Sequence, residues 1–242
     1  MTEKFERPSG RKLTEIRPIE AEAGIIKKAD GSARFKIGDT EAYAAVYGPR
    51  ELHPKFLQDP STGVLRCNYS MMPFSGDGER VRPGPSRRSK EISYVTEKAL
   101  LPVVNLEDYP NTVVDVFIEL PQTDAGSRCA GICAASIALA DAGIMMKDMV
   151  AAVSVGKVRG QLLVDLDGAE EHMDENAGAD IPVAMIPSTG EITLLQMDGV
   201  IEKEDIKKCL EMVKPALHEI AEKQREALKN KYHHAATGDN NE

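Results

Sequence analysis

What this chain is short of narrows its chemistry before any motif is read. Its four cysteines, Cys67, Cys129, Cys133 and Cys209, form no CxxC pair, and no secretory or transit segment precedes the first strand-like run. A reduced, cytoplasmic protein is therefore expected. The longest apolar run, Cys129 to Ile144, is broken by Asp141 and is too short to span a bilayer, so no membrane role is expected. Neither a Walker loop nor a GxGxxG is present, and none of the five histidines (His53, His172, His218, His233, His234) stands near a serine elbow or in HExxH spacing. Nucleophilic triads and zinc catalysis are thereby disfavoured. Asp165-Leu166-Asp167-Gly168 puts its glycine at the wrong position for an EF-hand, and no short tandem repeat is found.

Positive charge is also in deficit. The 242 residues carry 30 basic and 39 acidic side chains, a net charge of -9, which argues against nonspecific coating of nucleic acid. A polyanion must then be bound locally. The 11 residues from Arg80 to Lys90 supply a place, with five basic side chains and no acid. The length suits one large domain or two fused halves with an ample core.

The chain opens with a polar arm, residues 1–20. A three-stranded meander follows over 24–48, turning at Ala29-Asp30-Gly31-Ser32 and Ile37-Gly38-Asp39-Thr40. A fourth strand spans 65–74, a glycine- and proline-rich loop 76–85, a helix 86–106 and a β-branched, buried strand 113–120. The second half has a small-residue helix over 126–142, strands near 150–155, 161–165, 182–187 and 192–197, and an amphipathic helix over 202–229. Residues 232–242 read as a disordered tail. Runs of strands punctuated by helices indicate an α+β fold with mixed sheets packed on helices. The arm is followed by one domain, 21–231, in halves of about 21–120 and 121–231.

Three segments carry chemistry. Asp124-Ala125-Gly126-Ser127-Arg128 places a glycine, a hydroxyl and a guanidinium at a helix N-terminus, where free N–H groups and the helix dipole favour an anion; an N-cap beside a surface arginine is the plainer alternative. Arg87 and Arg88 stand where a loop becomes a helix, and guanidinium forks grip phosphodiester oxygens, although a solvated pair would look the same. Adjacent side chains diverge by roughly 100° on a helix. Asp174 and Asp180 frame a small-residue loop running into the apolar stretch Ile181 to Ile186, and Glu170-Glu171-His172 just upstream is compatible with a merely solvated acidic loop. A carboxylate at that border has a readily raised pKa and can hold a proton or a divalent ion, magnesium or manganese before zinc for oxygen ligands.

These segments in this order, with Ala44 to Glu51, Met72-Pro73-Phe74-Ser75, Ala140-Asp141-Ala142-Gly143-Ile144 and Gln224 to Lys229, resemble the RNase PH family of phosphorolytic exoribonucleases from about Arg11 to Lys231. The resemblance is greatest to the branch that supplies active subunits of exosome rings. It implies a duplicated βαβ-type unit, a hexameric ring around an RNA channel, and attack of inorganic phosphate on the 3′ end of single-stranded RNA, releasing nucleoside 5′-diphosphates reversibly. Gly126, Ser127 and Arg128 would bind phosphate; Arg87 and Arg88 would hold the RNA end, with Arg50 and Lys55 further along the strand. Asp180 would be the catalytic carboxylate and Asp174 its partner, together holding Mg2+ or Mn2+. A related inactive subunit and RNA-binding cap subunits would be partners. Two other readings remain: a homohexamer that trims transfer RNA ends, and a noncatalytic subunit that only lines the channel. Ser9-Gly10-Arg11 departs from the family's usual Asp-Gly-Arg, the loop from Asp165 to Asp174 is longer than usual, and Pro121 interrupts the end of a strand.

Overall fold

In the computed structural model, residues 6–77, 81–174 and 178–237 are described, with the side chains of Asp174 and of 234–237 excepted. Strand β1 (Ile19–Ala23), β2 (Gly31–Ile37) and β3 (Thr40–Glu51) form the antiparallel meander. Alternation along β3 buries Thr40, Ala42, Ala44 and Val46 and turns Glu41, Tyr43 and Ala45 the other way. Strand β4 (Val64–Met71), helix α1 (Arg87–Leu100) and β5 (Thr112–Gln122) make a crossover that leaves β4 and β5 parallel, and the sheet order is β1-β2-β3-β5-β4.

Helix α2 (Ser127–Asp141) then leads into the second sheet. There β6 (Ala151–Val158) lies between β7 (Gln161–Val164) and β8 (Ala179–Ile186), while β9 (Glu191–Leu195) and β10 (Asp198–Gly199) pair with β8. The expected α+β class with two sheets packed on helices is what is seen. The parallel pair lies in the first sheet; the pairs of the second are antiparallel. Between β7 and β8 runs the short helix α3 (Gly168–Glu171), and the closing helix α4 (Lys203–Thr237) packs on β1 and β6.

Three boundaries and one burial differ from the sequence reading. The strand expected from Gly24 ends there instead: Gly24 turns at φ +77° and its N–H donates to Ser32 O at 2.7 Å. Helix α1 stops at Leu100 rather than Leu106, because Pro102 has no N–H to continue the ladder. Helix α4 continues past Lys229 to Thr237, so most of the segment read as a tail is helical; nothing between Lys229 and Gly238 is a glycine or proline to stop it. In the acidic stretch Glu171 and His172 are exposed, but Glu170 is not solvated. Asp167 and Glu170 form a reciprocal capping box on α3, and Glu170 is fully buried.

That burial explains the N-terminal arm. Arg7 donates to both oxygens of Glu170 at 2.6 and 2.7 Å, with both side chains wholly out of solvent. Its remaining donors reach the carbonyls of Val164 and Asp165 at 3.0 and 2.7 Å. Arg11 bridges Asp165 and Asp167 at 3.2 and 3.1 Å. A carboxylate and a guanidinium taken this far from water are tolerable only while both are present. Glu170→Ala, which strands Arg7, is therefore expected to lower stability by about 3–5 kcal/mol. Denaturant titration checks this, and a loss within experimental error would mean the arm contributes nothing to the fold.

Candidate active site

The site begins at the end of β5. The turn from Thr123 into α2 takes two successive left-handed residues, Ala125 at φ +56° and Gly126 at φ +62°. Such a pair needs outside support, since only glycine adopts this conformation freely. The N–H of Asp124 donates to Thr40 Oγ1 at 2.8 Å, the Thr40 hydroxyl lies 2.7 Å from Ala125 O, and Asp124 Oδ1 accepts the N–H of Gly168 at 2.8 Å. Arg17 takes the Asp124 carbonyl from below. With Gly126 as N-cap, no side chain among the described residues caps α2. Its first-turn N–H groups thus remain for an anion.

Ser127 and Arg128 follow on the same turn. Arg128 is aimed from two sides: it donates to Gln196 Oε1 at 2.6 Å, lies 3.7 Å from Glu91 Oε1, and Gln196 in turn donates to Glu91 at 2.9 Å. A cavity of about 590 Å³ opens here, lined by Gly126, Ser127, Arg128, Arg88, Glu171 and Asp180 among others. A second of about 780 Å³ adjoins it, sharing Arg88, Thr123, Ala125, Glu171 and His172 and extending along Tyr69, Arg82 and Ser86.

Asp180 lies inside β8, opposite Gly156 of β6 on one side and Asp198 of β10 on the other. Its Oδ1 is buried and has no hydrogen-bond partner among the described residues. Burial pushes its pKa up to about 6, with Arg128 and Arg88 pulling down and Asp198 pushing up. Glu171 is pushed up to about 7, first by burial and then by the Asp180 charge. Its side chain keeps solvent contact, which tempers that second shift. The cavity thus opposes an uncapped, basic helix end to a carboxyl able to hold a proton near neutrality.

Of the residues picked out from sequence, Arg88, Gly126, Ser127, Arg128 and Asp180 meet in this cavity. Arg87 is exposed and lines neither compartment, as the divergence of helical neighbours requires. Arg50 and Lys55 are elsewhere. Arg50 pairs in register with Val113 near the start of β5, about 30 Å along the strand from its site end. It stacks on Tyr47 at 4.8 Å and lies 3.4 Å from Asp30, while Lys55 sits 3.6 Å from Glu51. Asp174 ends a 3-10 turn, His172–Asp174, and its side chain lies outside the described residues. Sequence reasoning missed Asp198, Gln196 and Glu91 as neighbours of the site; Asp198 lies in the two-residue strand β10, too short for periodicity to reveal its pairing with β8.

An α+β scaffold that sets a helix N-terminus and two arginines against a buried carboxyl has the groups that chemistry on phosphate esters needs. Residues 15–145 match the 3' exoribonuclease family, domain 1 (RNase_PH), and residues 148–214 match domain 2 (RNase_PH_C). The chain belongs to that family. It is 52% identical to the exosome complex component Rrp41 of Thermococcus gammatolerans over 226 residues, 93% of this chain and 89% of that protein. To the Rrp41 component of Nitrosopumilus maritimus it is 47% identical over 232 residues, 96% and 93% of the two chains. Among solved structures, rice Rrp46 superposes with a TM-score of 0.81 at 25% identity, covering 92% of this chain and 100% of that one. A chain of the Archaeoglobus fulgidus exosome with RNA bound to the active site has the same fold, with a TM-score of 0.76 at 23% identity over 90% and 92%.

The raised pKa of Asp180 has a measurable sign. A carboxyl whose folded pKa exceeds its unfolded value contributes stability at low pH that is lost as pH rises through about 6. Asp180→Asn, neutral throughout, should therefore be more stable than the parent at pH 7–8 by about 1–3 kcal/mol. The advantage should vanish towards pH 4. Thermal melts across that range in chelator-treated buffer check it, and a difference that does not vary with pH would show that burial does not strain this carboxylate.

Proposed function

We propose that the chain is a phosphate-dependent 3′-to-5′ exoribonuclease acting as the active subunit of an exosome ring. The observation that carries this is the meeting, in one cavity, of the uncapped α2 N-terminus with Arg128 and the unpartnered Asp180 carboxyl. Inorganic phosphate is the nucleophile. Gly126, Ser127 and Arg128 hold it through backbone N–H groups, a hydroxyl and a guanidinium. Arg88 faces the same space and holds the terminal phosphodiester, so that two anions can approach.

A phosphate oxygen attacks the terminal phosphorus, and the bond from phosphorus to the preceding nucleotide's 3′ oxygen breaks. The nucleoside leaves as a 5′-diphosphate, and the shortened RNA regains its 3′ hydroxyl with a proton that Asp180 is placed to supply. One phosphoester-type linkage replaces another, so the reverse reaction extends RNA from nucleoside diphosphates. The acceptor is phosphate rather than water, so the enzyme is not a hydrolase.

Mg2+ or Mn2+ fits the donor chemistry. Asp180 offers a buried, unpartnered oxygen, and Asp198 stands beside it in register. Among the described residues no group of three or more His, Cys, Asp or Glu is gathered for a metal. A bound cation would rest on ionised Asp180 and on Asp198, with Asp174 as the third acid of this reading; Asp180 would then be a ligand and not the acid, and the 3′ oxygen would take its proton from the incoming hydrogen phosphate. The cation would supply charge neutralisation at phosphoryl oxygens.

The relatives named as exosome complex components support partnership with other exosome subunits, which this reading takes to be a related inactive subunit in a ring and RNA-binding caps. Arg87, Arg50 and Lys55 are then contacts for RNA beyond the cavity. Segments 21–120 and 121–231 are read as pseudo-duplicated halves. The four buried free thiols suit a cytoplasmic location, and no helix among the described residues is long and apolar enough to cross a membrane.

Release of labelled nucleoside diphosphate from single-stranded RNA by the purified complex tests the proposal. Release should require phosphate, and Asp180→Asn should slow it about 10²–10⁴-fold, the usual contribution of a positioned acid or base. Equal release without phosphate, or full activity in the variant, would overturn it.

A further inference from the structure

We propose that Arg17, which lies outside the anion cradle, is the positioning residue that sets the cradle for inorganic phosphate by fastening the Asp124–Gly126 turn to Asp165. The inference rests on the phosphate-binding reading above and extends it to the arm of the chain.

Arg17 is buried, and every part of it is committed. Its backbone N–H donates to Asp165 Oδ2 at 2.7 Å, its Nε to the same oxygen at 2.9 Å, and its Nη2 to Asp165 Oδ1 at 2.7 Å. The remaining nitrogen, Nη1, donates to the carbonyl of Asp124 and lies 3.4 Å from Asp124 Oδ2. Asp165 is itself tied to the second sheet, its N–H donating to Ser154 O at 2.8 Å. The guanidinium passes directly beneath the turn: a Cβ built on Gly126 would stand 3.5 Å from Nη2.

The arrangement matters because of what the turn must do. Two consecutive left-handed residues, one of them an alanine, are held where an unsupported chain would relax. Arg17 draws the Asp124 carbonyl back from below, while Thr40 accepts the Asp124 N–H from the meander side. With carbonyls retained on the protein side, the following N–H groups are left for the ligand. Two carboxylates, Asp165 and Asp124, offset the charge of Arg17. Its contribution is therefore geometric rather than that of one more cation facing phosphate. A lysine keeps the charge but has no planar fork to hold Asp165 and Asp124 at once.

The test is calorimetric binding of inorganic phosphate to the purified complex, followed by diphosphate release at varied phosphate and varied RNA, for the parent, Arg17→Lys and Thr40→Val. Each variant is expected to weaken phosphate binding and raise its KM about tenfold, leaving kcat and the KM for RNA within about twofold; saturating phosphate should restore the rate. Thr40→Val loosens the same turn from the other side, so it decides the matter if Arg17→Lys does not fold. Phosphate affinity unchanged in the variants would overturn the proposal. So would a KM for RNA and a melting temperature that shift in step with it, since the brace would then serve the fold alone. Phosphate binding that is lost in the variants, in a parent that releases no diphosphate, would uphold Arg17 and sink the exoribonuclease reading. A parent that binds no phosphate sinks both.

Discussion

The cleft depends on how closely α2 approaches the two sheets it lies between. Thirteen of its residues are buried, nearly all of them alanine, glycine, serine, cysteine or isoleucine. The first sheet comes so near that a Cβ on Gly31 would stand 2.2 Å from the backbone nitrogen of Ala142. Bulkier side chains at these positions would push the sheets apart, because interiors packed to crystal density give little. The axis of α2 fixes where its N-terminus emerges. That point lies between the end of β5 and the site edge of β8, so packing at the far end of the helix sets the distance between cradle and carboxyl.

The second constraint is electrostatic. A site for two phosphate groups must gather positive charge, yet the chain as a whole is acidic. The arginines divide the task. Arg88 and Arg128 face the cavity, whereas Arg7, Arg11 and Arg17 are spent on buried carboxylates that join the arm to the segment Asp165–Glu170. Burial raises the pKa of one of the cavity's acids, Asp180, so its charge is costly to develop there. A carboxyl whose pKa lies closer to neutrality than usual, beside fixed cations, can exchange a proton with a leaving oxygen.

Much of this was readable along the chain. Alternating apolar residues marked the meander, and glycine and proline marked the loop before α1. The run of small residues announced a helix packed on something close. That Gly126, Ser127 and Arg128 would share one place was legible because a helix N-terminus, its glycine and its arginine are neighbours in sequence. Asp180 was legible because the apolar strand begins beside it. The burial of Glu170 was not legible for the opposite reason: its partner Arg7 is 163 residues away, and nothing near Glu170 says whether a carboxylate is solvated or paired.

By itself the sequence determined most of the secondary elements, the α+β class and the residue types proposed to hold phosphate and a proton, because those follow from local periodicity and from side-chain chemistry. Only the tertiary structure decided that Arg88 and not Arg87 faces the cavity, that Asp198 adjoins Asp180, and that Arg17 and Thr40 hold the turn between them. Those outcomes turn on helix phase, strand register and the meeting of segments far apart in the chain, and a local pattern of residues carries no information about any of the three.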